Sequence, residues 1–341
     1  MKKHLFAAVA VAAALFTACN KDNEPIAPTP IDTDGSRICI SLTDDADTRA
    51  FFDATASAEA WEKTLSSLSV FAFDNGGTLI VRRDFTASEL AAKSATFSLP
   101  KSAAGTSCSF YAVANFDASS AKTQAALTAL VENAATAYNG TFAEVSSKAL
   151  RPGGFVMSGM KTQTVGAVNS TTNVGITLKR TVAKVALQTT VDASFAQKYS
   201  GTITINSVTL SKAASQSLVV AGAAPSTGAM TFTHTQTPAA ASGKYNSLFY
   251  IYENDALAAG SRVLLEIVAT YDMDGDATTT NDRSEVTYSI ELAGKAAGEI
   301  LRNGYYRIAA NITGLVGQEC AVSVSVADWE TPVTQNVELG A

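Results

Sequence analysis

Histidine is almost absent from this chain, which contains only His4 and His234. His4 belongs to a stretch with the pattern of a cleaved export signal, so one histidine remains and a site with two histidine ligands is excluded. The signatures G-x-S-x-G, H-E-x-x-H and the phosphate loop are missing too. We therefore predict that the protein is not an enzyme and binds no cofactor. His234 lies in the alternating stretch Met230–Thr235, and we expect its ring to face solvent from a strand.

Cysteine is also scarce, with four residues in the chain. If Cys19 is modified, the remaining Cys39, Cys108 and Cys320 are an odd number at wide spacing, which does not indicate a disulfide framework. Cys39 and Cys108 lie in apolar, strand-like runs. We interpret both as small buried hydrophobic residues, and a bridge between them is the alternative.

Long hydrophobic runs are missing apart from Phe6–Phe16, which is too short to span a bilayer as a helix. Lys2 and Lys3 precede it, so residues 1–18 are predicted to be a signal peptide. The run ends in Phe16-Thr17-Ala18-Cys19, similar to the lipobox of bacterial lipoproteins, and Cys19 is predicted to carry lipid. An ordinary signal peptide is the alternative. Residues 19–37 are mostly polar and rich in proline, which predicts an extended tether.

Charge is low and acidic: charged residues make up 16% of the chain and the formal net charge is -6. Loss of the two leading lysines makes the mature chain more acidic still. An acidic surface disfavours nucleic acid as a partner. The hydrophobic content of 47% is typical of a globular protein.

Most of the chain alternates between apolar and polar residues with the period of a β-strand. Asp74-Asn75-Gly76-Gly77 separates two such runs and predicts a tight hairpin. The length of 341 residues favours two domains, predicted at 38–180 and 181–341. One short helix is predicted within Ser119–Ala134, where Leu127, Leu130 and Val131 share a helical face. The fold class is therefore all-β, with many short strands that suggest β-sandwiches.

The predicted strands are listed here in chain order: 38–42, 65–73, 78–82, 96–100, 107–115, 154–159, a long run over 173–187, 201–210, 247–253, 262–271, 286–292, 305–312 and 321–329.

Three acidic residues at alternate positions, Asp272, Asp274 and Asp276, resemble the start of a calcium-binding loop. The glycine at position 275 is misplaced for an EF-hand, and no glutamate stands at the twelfth position. We interpret the stretch as a solvated hairpin loop and keep calcium binding as the weaker alternative.

Several stretches together resemble the fimbrillins, the subunits of type V pili. Each is weak alone, but their order spans nearly the whole chain. They are listed here: Val70–Gly77, Phe110–Asn115, Met157–Gly159, Arg180–Val185, Phe249–Asn254, Arg302–Arg307 and Val326–Trp329.

The resemblance implies two tandem transthyretin-like β-sandwich domains and an assembly mechanism. The precursor would be a lipoprotein held at the outer membrane, and an arginine-specific protease would cut it after Arg49, with Arg37 as the alternative. The cut would free a first strand whose inward residues are Ile38, Ile40 and Leu42. A strand from another copy or a related subunit would then fill the groove. The candidate donor residues near the C-terminus are Val322, Val324, Val326, Val333, Val337 and Leu339.

Two other functions remain open. An anchor or tip component of the same fimbria would share the fold and keep its N-terminal segment. A glycan-binding surface lipoprotein would use exposed aromatic residues, for which Trp61 and Trp329 are the available tryptophans.

The lipobox generates a direct prediction. Labelled palmitate should enter the wild-type protein and not the Cys19→Ala variant, because the thiol of Cys19 would carry the lipid. Metabolic labelling followed by immunoprecipitation measures this, and equal labelling of both proteins would contradict the lipoprotein assignment.

Overall fold

The computed structural model describes residues 35–43, 52, 58–223, 229–236, 243–316, 327–328 and 334–339. Strands dominate these residues, which confirms the all-β prediction. No helix in this part of the chain is both long and apolar enough to cross a bilayer.

The strands are β1 (Ser36–Thr43), β2 (Leu68–Phe73), β3 (Leu79–Asp84), β4 (Ser94–Leu99), β5 (Ser107–Ala114), β6 (Val131–Glu132), β7 (Met157–Thr164), β8 (Thr171–Thr177), β9 (Lys179–Arg180), β10 (Val182–Val191), β11 (Thr202–Ala214), β12 (Ser217–Leu218), β13 (Ala229–Thr235), β14 (Lys244–Tyr252), β15 (Leu264–Asp272), β16 (Arg283–Glu291), β17 (Gly304–Ile312), β18 (Ala327–Asp328) and β19 (Thr334–Leu339).

Strands before residue 181, apart from β6, form two sheets that face each other. One has the order β4-β1-β8, and the other has the order β3-β2-β5-β7-β9. Their shared core contains Ile38 and Ile40 from β1, Val70 from β2 and Phe110 from β5. The Asn-Gly turn lies between β2 and β3, where the sequence predicts it, and Gly77 adopts φ 76°. This half is therefore a β-sandwich whose first layer has β1 at its centre.

Strands after residue 181, apart from β12, form a second pair of sheets. The order in one is β14-β10-β17, with β18 and β19 both on the far side of β17, and the order in the other is β13-β11-β15-β16. The core between them includes Val185 from β10, Leu265 from β15 and Ile308 from β17. The division into separate domains at Thr181 stays a prediction, because the two halves share further contacts.

The described helices are α1 (Ala87–Ala92), α2 (Gln124–Thr128), α3 (Phe142–Val145) and α4 (Phe195–Lys198), with 3-10 turns at Ala60–Lys63, Lys101–Ala103 and Ala135–Tyr138. The prediction of one helix was therefore wrong in number and too long at both ends. The Thr123 hydroxyl caps α2 by accepting from the Ala126 N–H at 3.1 Å. The helix ends early because Val131 and Glu132 pair with β12 as strand β6.

The predicted strand over 173–187 is broken into three. Strand β8 ends at Thr177, β9 covers Lys179–Arg180, and β10 starts at Val182. Leu178 is the first break and Thr181 the second, where the Thr181 N–H donates to the Val156 carbonyl at 3.0 Å instead of continuing a ladder. The chain therefore changes sheets at the junction between the halves.

A segment of the second half covers the first. Val219 and Val220 pack on the outer face of the five-stranded sheet beside Phe71 and Phe73. The Ser158 hydroxyl donates to the Val219 carbonyl at 2.6 Å. At the base of this segment, the Arg302 guanidinium pairs with Glu253 at 2.6 Å and also donates to the Leu218 carbonyl at 2.6 Å. The two halves are therefore joined by apolar packing as well as by the chain.

The cysteines differ from one another. Cys108 is a buried free thiol, as predicted, and burial raises its pKa. Cys39 is disulfide-bonded, so its interpretation as a simple buried hydrophobic residue was wrong. The alternative bridge between these two residues is not formed, since Cys108 is free.

His234 is buried, not solvent-facing, which corrects the prediction. Only 2% of it is exposed, and its ring stacks on Phe249 with 4.3 Å between ring centroids. Among the described residues, neither ring nitrogen has a hydrogen-bond partner. Burial lowers the pKa of His234 to about 4, because no nearby group stabilises the imidazolium.

The burial of the His234 ring predicts that the folded protein loses stability at acidic pH. The folded chain binds the His234 proton near pH 4, whereas the unfolded chain binds it near pH 6.5. The free energy of unfolding should fall between those pH values, by up to about 3 kcal/mol from this residue. The variant His234→Phe keeps a ring on Phe249 and should lose that part of the decrease. Urea unfolding at pH 7 and pH 4 compares the two proteins, and an identical decrease in both would contradict the assignment.

Candidate functional site

Strand β1 lies between two strands that do not pair with each other. It is antiparallel to β4, with Ile40 opposite Ala95, and parallel to β8, with Ile40 beside Val174. Because β1 is central, its removal would leave the unpaired edges of β4 and β8 facing each other across a slot. An open slot of this kind binds an extended segment through main-chain hydrogen bonds.

The inward face of β1 fills apolar pockets. Ile38, Ile40 and Leu42 are 0%, 0% and 7% exposed. Alternation places all three on the core side, where they pack with side chains from both sheets. Each such residue contributes about 1.5–3 kcal/mol by leaving water. The structure thus brings together on one buried face the three residues that the family resemblance assigns to a removable first strand.

Arg37 is part of β1, which affects its role as an alternative cleavage site. Its backbone pairs with Ser98 on one side and Thr171 on the other. A protease requires an extended and accessible backbone, which a central strand does not offer. A cut after Arg37 would also leave Ile38 to Thr43 covalently attached to the rest of the chain.

Arg49 and Cys19 lie outside the described residues. The chain is described at Phe52 and again from Ala58, where it packs on the second half. The guanidinium of Arg307 lies 4.8 Å from the Phe52 ring centroid. The ring centroid of Trp61 is 6.2 Å from that of Phe155 and 6.3 Å from that of Tyr250. Trp61 is thus a packing residue at the junction, while Trp329 lies outside the described part.

Glu62 anchors this segment through a buried ion pair. Its carboxylate is 2.9 Å from the Lys184 ammonium and accepts a short hydrogen bond from the Tyr250 hydroxyl. Burial alone would raise the pKa of Glu62, but Lys184 and Arg180 together hold it below its ordinary value. Loss of either member of the pair would leave an uncompensated buried charge. The chain just beyond the predicted cleavage loop is therefore fixed to the second half.

Arg151 lies in the same junction, enclosed by aromatic rings. Its guanidinium carbon is 4.7 Å from the ring centroid of Trp61, 4.6 Å from that of Phe155 and 4.5 Å from that of Tyr250. The guanidinium also donates to the Tyr138 carbonyl at 2.7 Å. The sequence analysis did not identify this cluster, because its members come from distant parts of the chain. The cluster supports the junction and offers no reactive group.

The candidate donor residues are only partly described. Val337 and Leu339 belong to β19, which pairs in parallel with β17 of the same chain, opposite Ala310 and Ile312. Val322, Val324, Val326 and Val333 lie outside the described residues.

The acidic stretch forms a cluster of different composition from the one predicted. Asp272, Asp274 and Asp282 place carboxylate oxygens within 4.8 Å of one another. Asp276 is not a member, because it accepts the Thr278 N–H at 2.9 Å in a local turn. The Arg283 guanidinium donates to the Asp272 carboxylate at 3.1 Å, so a positive charge of the protein itself partly balances the acidic cluster. These contacts agree with the solvated hairpin loop.

Comparison with known proteins gives one family match. Residues 29–334 match the sequence model of the fimbrillin-A associated anchor proteins Mfa1 and Mfa2. No curated protein matches the chain.

Two solved structures are similar in fold. A fimbrilin from Porphyromonas gingivalis is 15% identical with a TM-score of 0.58, and the match covers 90% of this chain and 98% of that one. The tip fimbrial protein Mfa3 from the same organism, with a C-terminal truncation, is 14% identical with a TM-score of 0.53, covering 86% and 99%.

The packing of β1 predicts unequal effects of two neighbouring substitutions. Ile40→Ala should lower the free energy of unfolding of the uncut chain by about 2–5 kcal/mol, because it leaves a cavity in the core. Ser41→Ala, on the exposed face of the same strand, should change it by less than about 0.5 kcal/mol. Urea unfolding measures both. Similar values for the two variants would show that β1 does not complete this core.

Proposed function

Because the chain belongs to the family of fimbrillin-A associated anchor proteins Mfa1 and Mfa2, we propose that it is a subunit of an adhesive cell-surface fimbria that assembles by strand exchange. The position of β1 carries the proposal. A strand with partners on both sides and an apolar inner face can leave a slot of the same shape for a strand of another subunit. The family is one of structural fimbrial proteins, not of enzymes.

Maturation begins with export of the precursor as a lipoprotein attached to the outer membrane through Cys19. An arginine-specific protease then cuts after Arg49, between β1 and the segment that Glu62 fixes to the second half. The cut breaks the main chain between β1 and everything that follows it. Its hydrogen bonds and buried side chains still hold it in place, so the incoming strand must displace it.

The donor is a strand near the C-terminus of another copy or of a related subunit. Two stretches have the required alternation, one containing Val322, Val324 and Val326 and the other Val333, Val337 and Leu339. Main-chain hydrogen bonds to β4 and β8 provide binding, and the pockets of the inward residues provide selectivity. Strand exchange also removes two exposed sheet edges, which would otherwise cause non-specific aggregation.

A second candidate function is an anchor or tip component, which the description of the matching family favours. An anchor would keep β1 and its lipid, so its own slot would stay closed while its C-terminal strand could still enter a neighbour. The fate of the Arg49 bond therefore separates the two functions.

The cleavage site gives the corresponding prediction. Subunits from purified surface filaments should begin at Ala50, and Arg49→Gln should stop cleavage and filament growth because β1 stays covalently attached. Arg37→Gln is the matched control and should leave both unchanged. N-terminal sequencing and electron microscopy measure the two outcomes. A protein that begins at Cys19 within the filaments would support the anchor function instead.

A further inference from the structure

We propose that a cavity at one end of the first-half sandwich binds a single neutral sugar ring. The cavity lies between the turn that joins β2 to β3 and the loop that precedes β5, and its volume is about 380 Å³. This volume is near the lower limit of the range of about 300–1,000 Å³ for small-ligand sites, which agrees with a ligand of one ring. The inference goes beyond the proposed function, because it concerns the uncut chain and requires no strand exchange.

The cavity lies at the end of the sandwich that is remote from the second half. At one end of β2, Leu68 pairs with Ala114, whose other neighbour Met157 pairs with Arg180 at the junction. The other end of β2 is Phe73, after which the chain enters the turn that lines the cavity. A ligand can therefore reach this end without separating the two halves.

The floor of the cavity is apolar. Ala103 is 4% exposed and belongs to the core between the two sheets, and the Ile80 side chain packs against the same core. A pyranose ring carries C–H groups on its faces and hydroxyls around its edge, so it can cover this floor while its hydroxyls point to the sides. Small-ligand sites commonly combine an apolar surface with a few polar groups that fix the orientation of the ligand.

Asp74 is held at the side of the cavity with one carboxylate oxygen available. Its Oδ1 accepts the Gly76 N–H at 2.9 Å and the Thr78 N–H at 2.8 Å. In the described part of the chain, Oδ2 has no hydrogen-bond partner. Hydrogen bonds to an ionised oxygen are stronger than those between neutral groups, so Oδ2 is a good acceptor for a sugar hydroxyl.

Three further polar side chains line the cavity without protein partners. Asn75 and Ser102 are exposed and Ser107 is half-buried. Among the described residues, no side chain of these three donates or accepts a hydrogen bond. Carboxamide and hydroxyl groups both donate and accept, as sugar hydroxyls do, so the two sets of groups are complementary. Water bound to them in the free protein can be displaced by a ligand that reproduces its hydrogen bonds.

Backbone hydrogen bonds hold both sides of the cavity before any ligand binds. On the turn, the Gly77 N–H donates to the Asp74 carbonyl at 3.0 Å, and the Gln124 N–H donates to the Gly77 carbonyl at 3.0 Å. On the loop, the Thr106 hydroxyl donates to the Ala103 carbonyl at 2.7 Å. A preformed site loses little conformational entropy when a ligand binds.

The charge of the cavity distinguishes between classes of sugar. Asp74 is the one charged residue among the described residues that line it, and no aromatic ring is among them. Its negative charge disfavours sialic and uronic acids, because like charges repel each other. Without an aromatic ring the apolar contact is small, so a single neutral sugar should bind with a Kd in the millimolar range.

Saturation-transfer NMR on the purified uncut protein tests the binding. The probes are D-glucose, D-galactose, D-mannose and L-fucose, and N-acetylneuraminic acid is the acidic control. At least one neutral sugar should receive saturation from the protein, and the acidic sugar should receive none. Asn75→Ala and Ser102→Ala should each raise the Kd by about 2–10-fold, because each removes one hydrogen bond to the sugar. The double variant should lose the signal.

Ser109→Ala is the matched control. Ser109 follows Ser107 by two residues on β5 but does not line the cavity, and its hydroxyl lies 3.5 Å from that of Thr162. This variant should bind the sugar with the wild-type Kd. Urea unfolding of all variants checks that each is folded.

Amide chemical shifts of the wild-type protein locate the ligand independently of any substitution. The bound sugar should shift the amide signals of Gly76, Ser102 and Ser107 and leave those of the second half unchanged. No saturation of any of the four neutral sugars, equal binding by the wild type and the double variant, or shifts confined to other residues would each overturn the proposal. A response of these amides to Ca²⁺ with none to the sugars would overturn it as well, because it would assign the cavity to a cation.

Discussion

The two-sided pairing of β1 is the constraint on which the first half of the molecule depends. In the described part of the chain, β4 and β8 are joined only through β1, so their sheet exists only while a strand lies between them. The same strand supplies three side chains to the core beneath. A strand at this position must therefore form main-chain hydrogen bonds to both β4 and β8 and also place apolar side chains in the core.

The buried pair of Glu62 and Lys184 fixes the segment between β1 and β2 to the second half. A buried ion pair is weak evidence for net stability, because the cost of removing two charges from water offsets their attraction. Its effect here is positional: a carboxylate from the first half fits only beside the ammonium of β10 and the hydroxyl of Tyr250. Phe52, which precedes Glu62, also lies against the second half, where its ring centroid is 4.8 Å from the Arg307 guanidinium.

Local patterns in the sequence predict many of the strands, because strands such as β8 alternate between a buried and an exposed face, whereas β2 is buried throughout and is marked by a continuous apolar run. The inward residues of β1 follow from that alternation, and the hairpin between β2 and β3 follows from the Asn-Gly turn residues between two apolar runs. His234 shows the limit of assuming that polarity decides orientation. It shares its face with Phe232, so the strand period alone would have placed it inside.

Contacts between residues far apart in the chain could not be predicted from local sequence patterns. Glu62 meets Lys184 across the junction, and Asp282 joins Asp272 across a hairpin loop, so neither contact leaves a local pattern. The end of α2 is a further example, because a strand from the second half competes for the residues that follow it. In each case a tertiary contact overrides the local preference.

The insertion of Val219 and Val220 into the first half links the order of synthesis to the order of folding. Phe71 and Phe73 are apolar residues whose cover includes a segment that emerges long after them. An N-terminal half that folds first would therefore keep an uncovered aromatic surface until Val219 and Val220 have been made and have docked on it. Such an intermediate exposes apolar surface to other chains and is prone to aggregation until that segment docks.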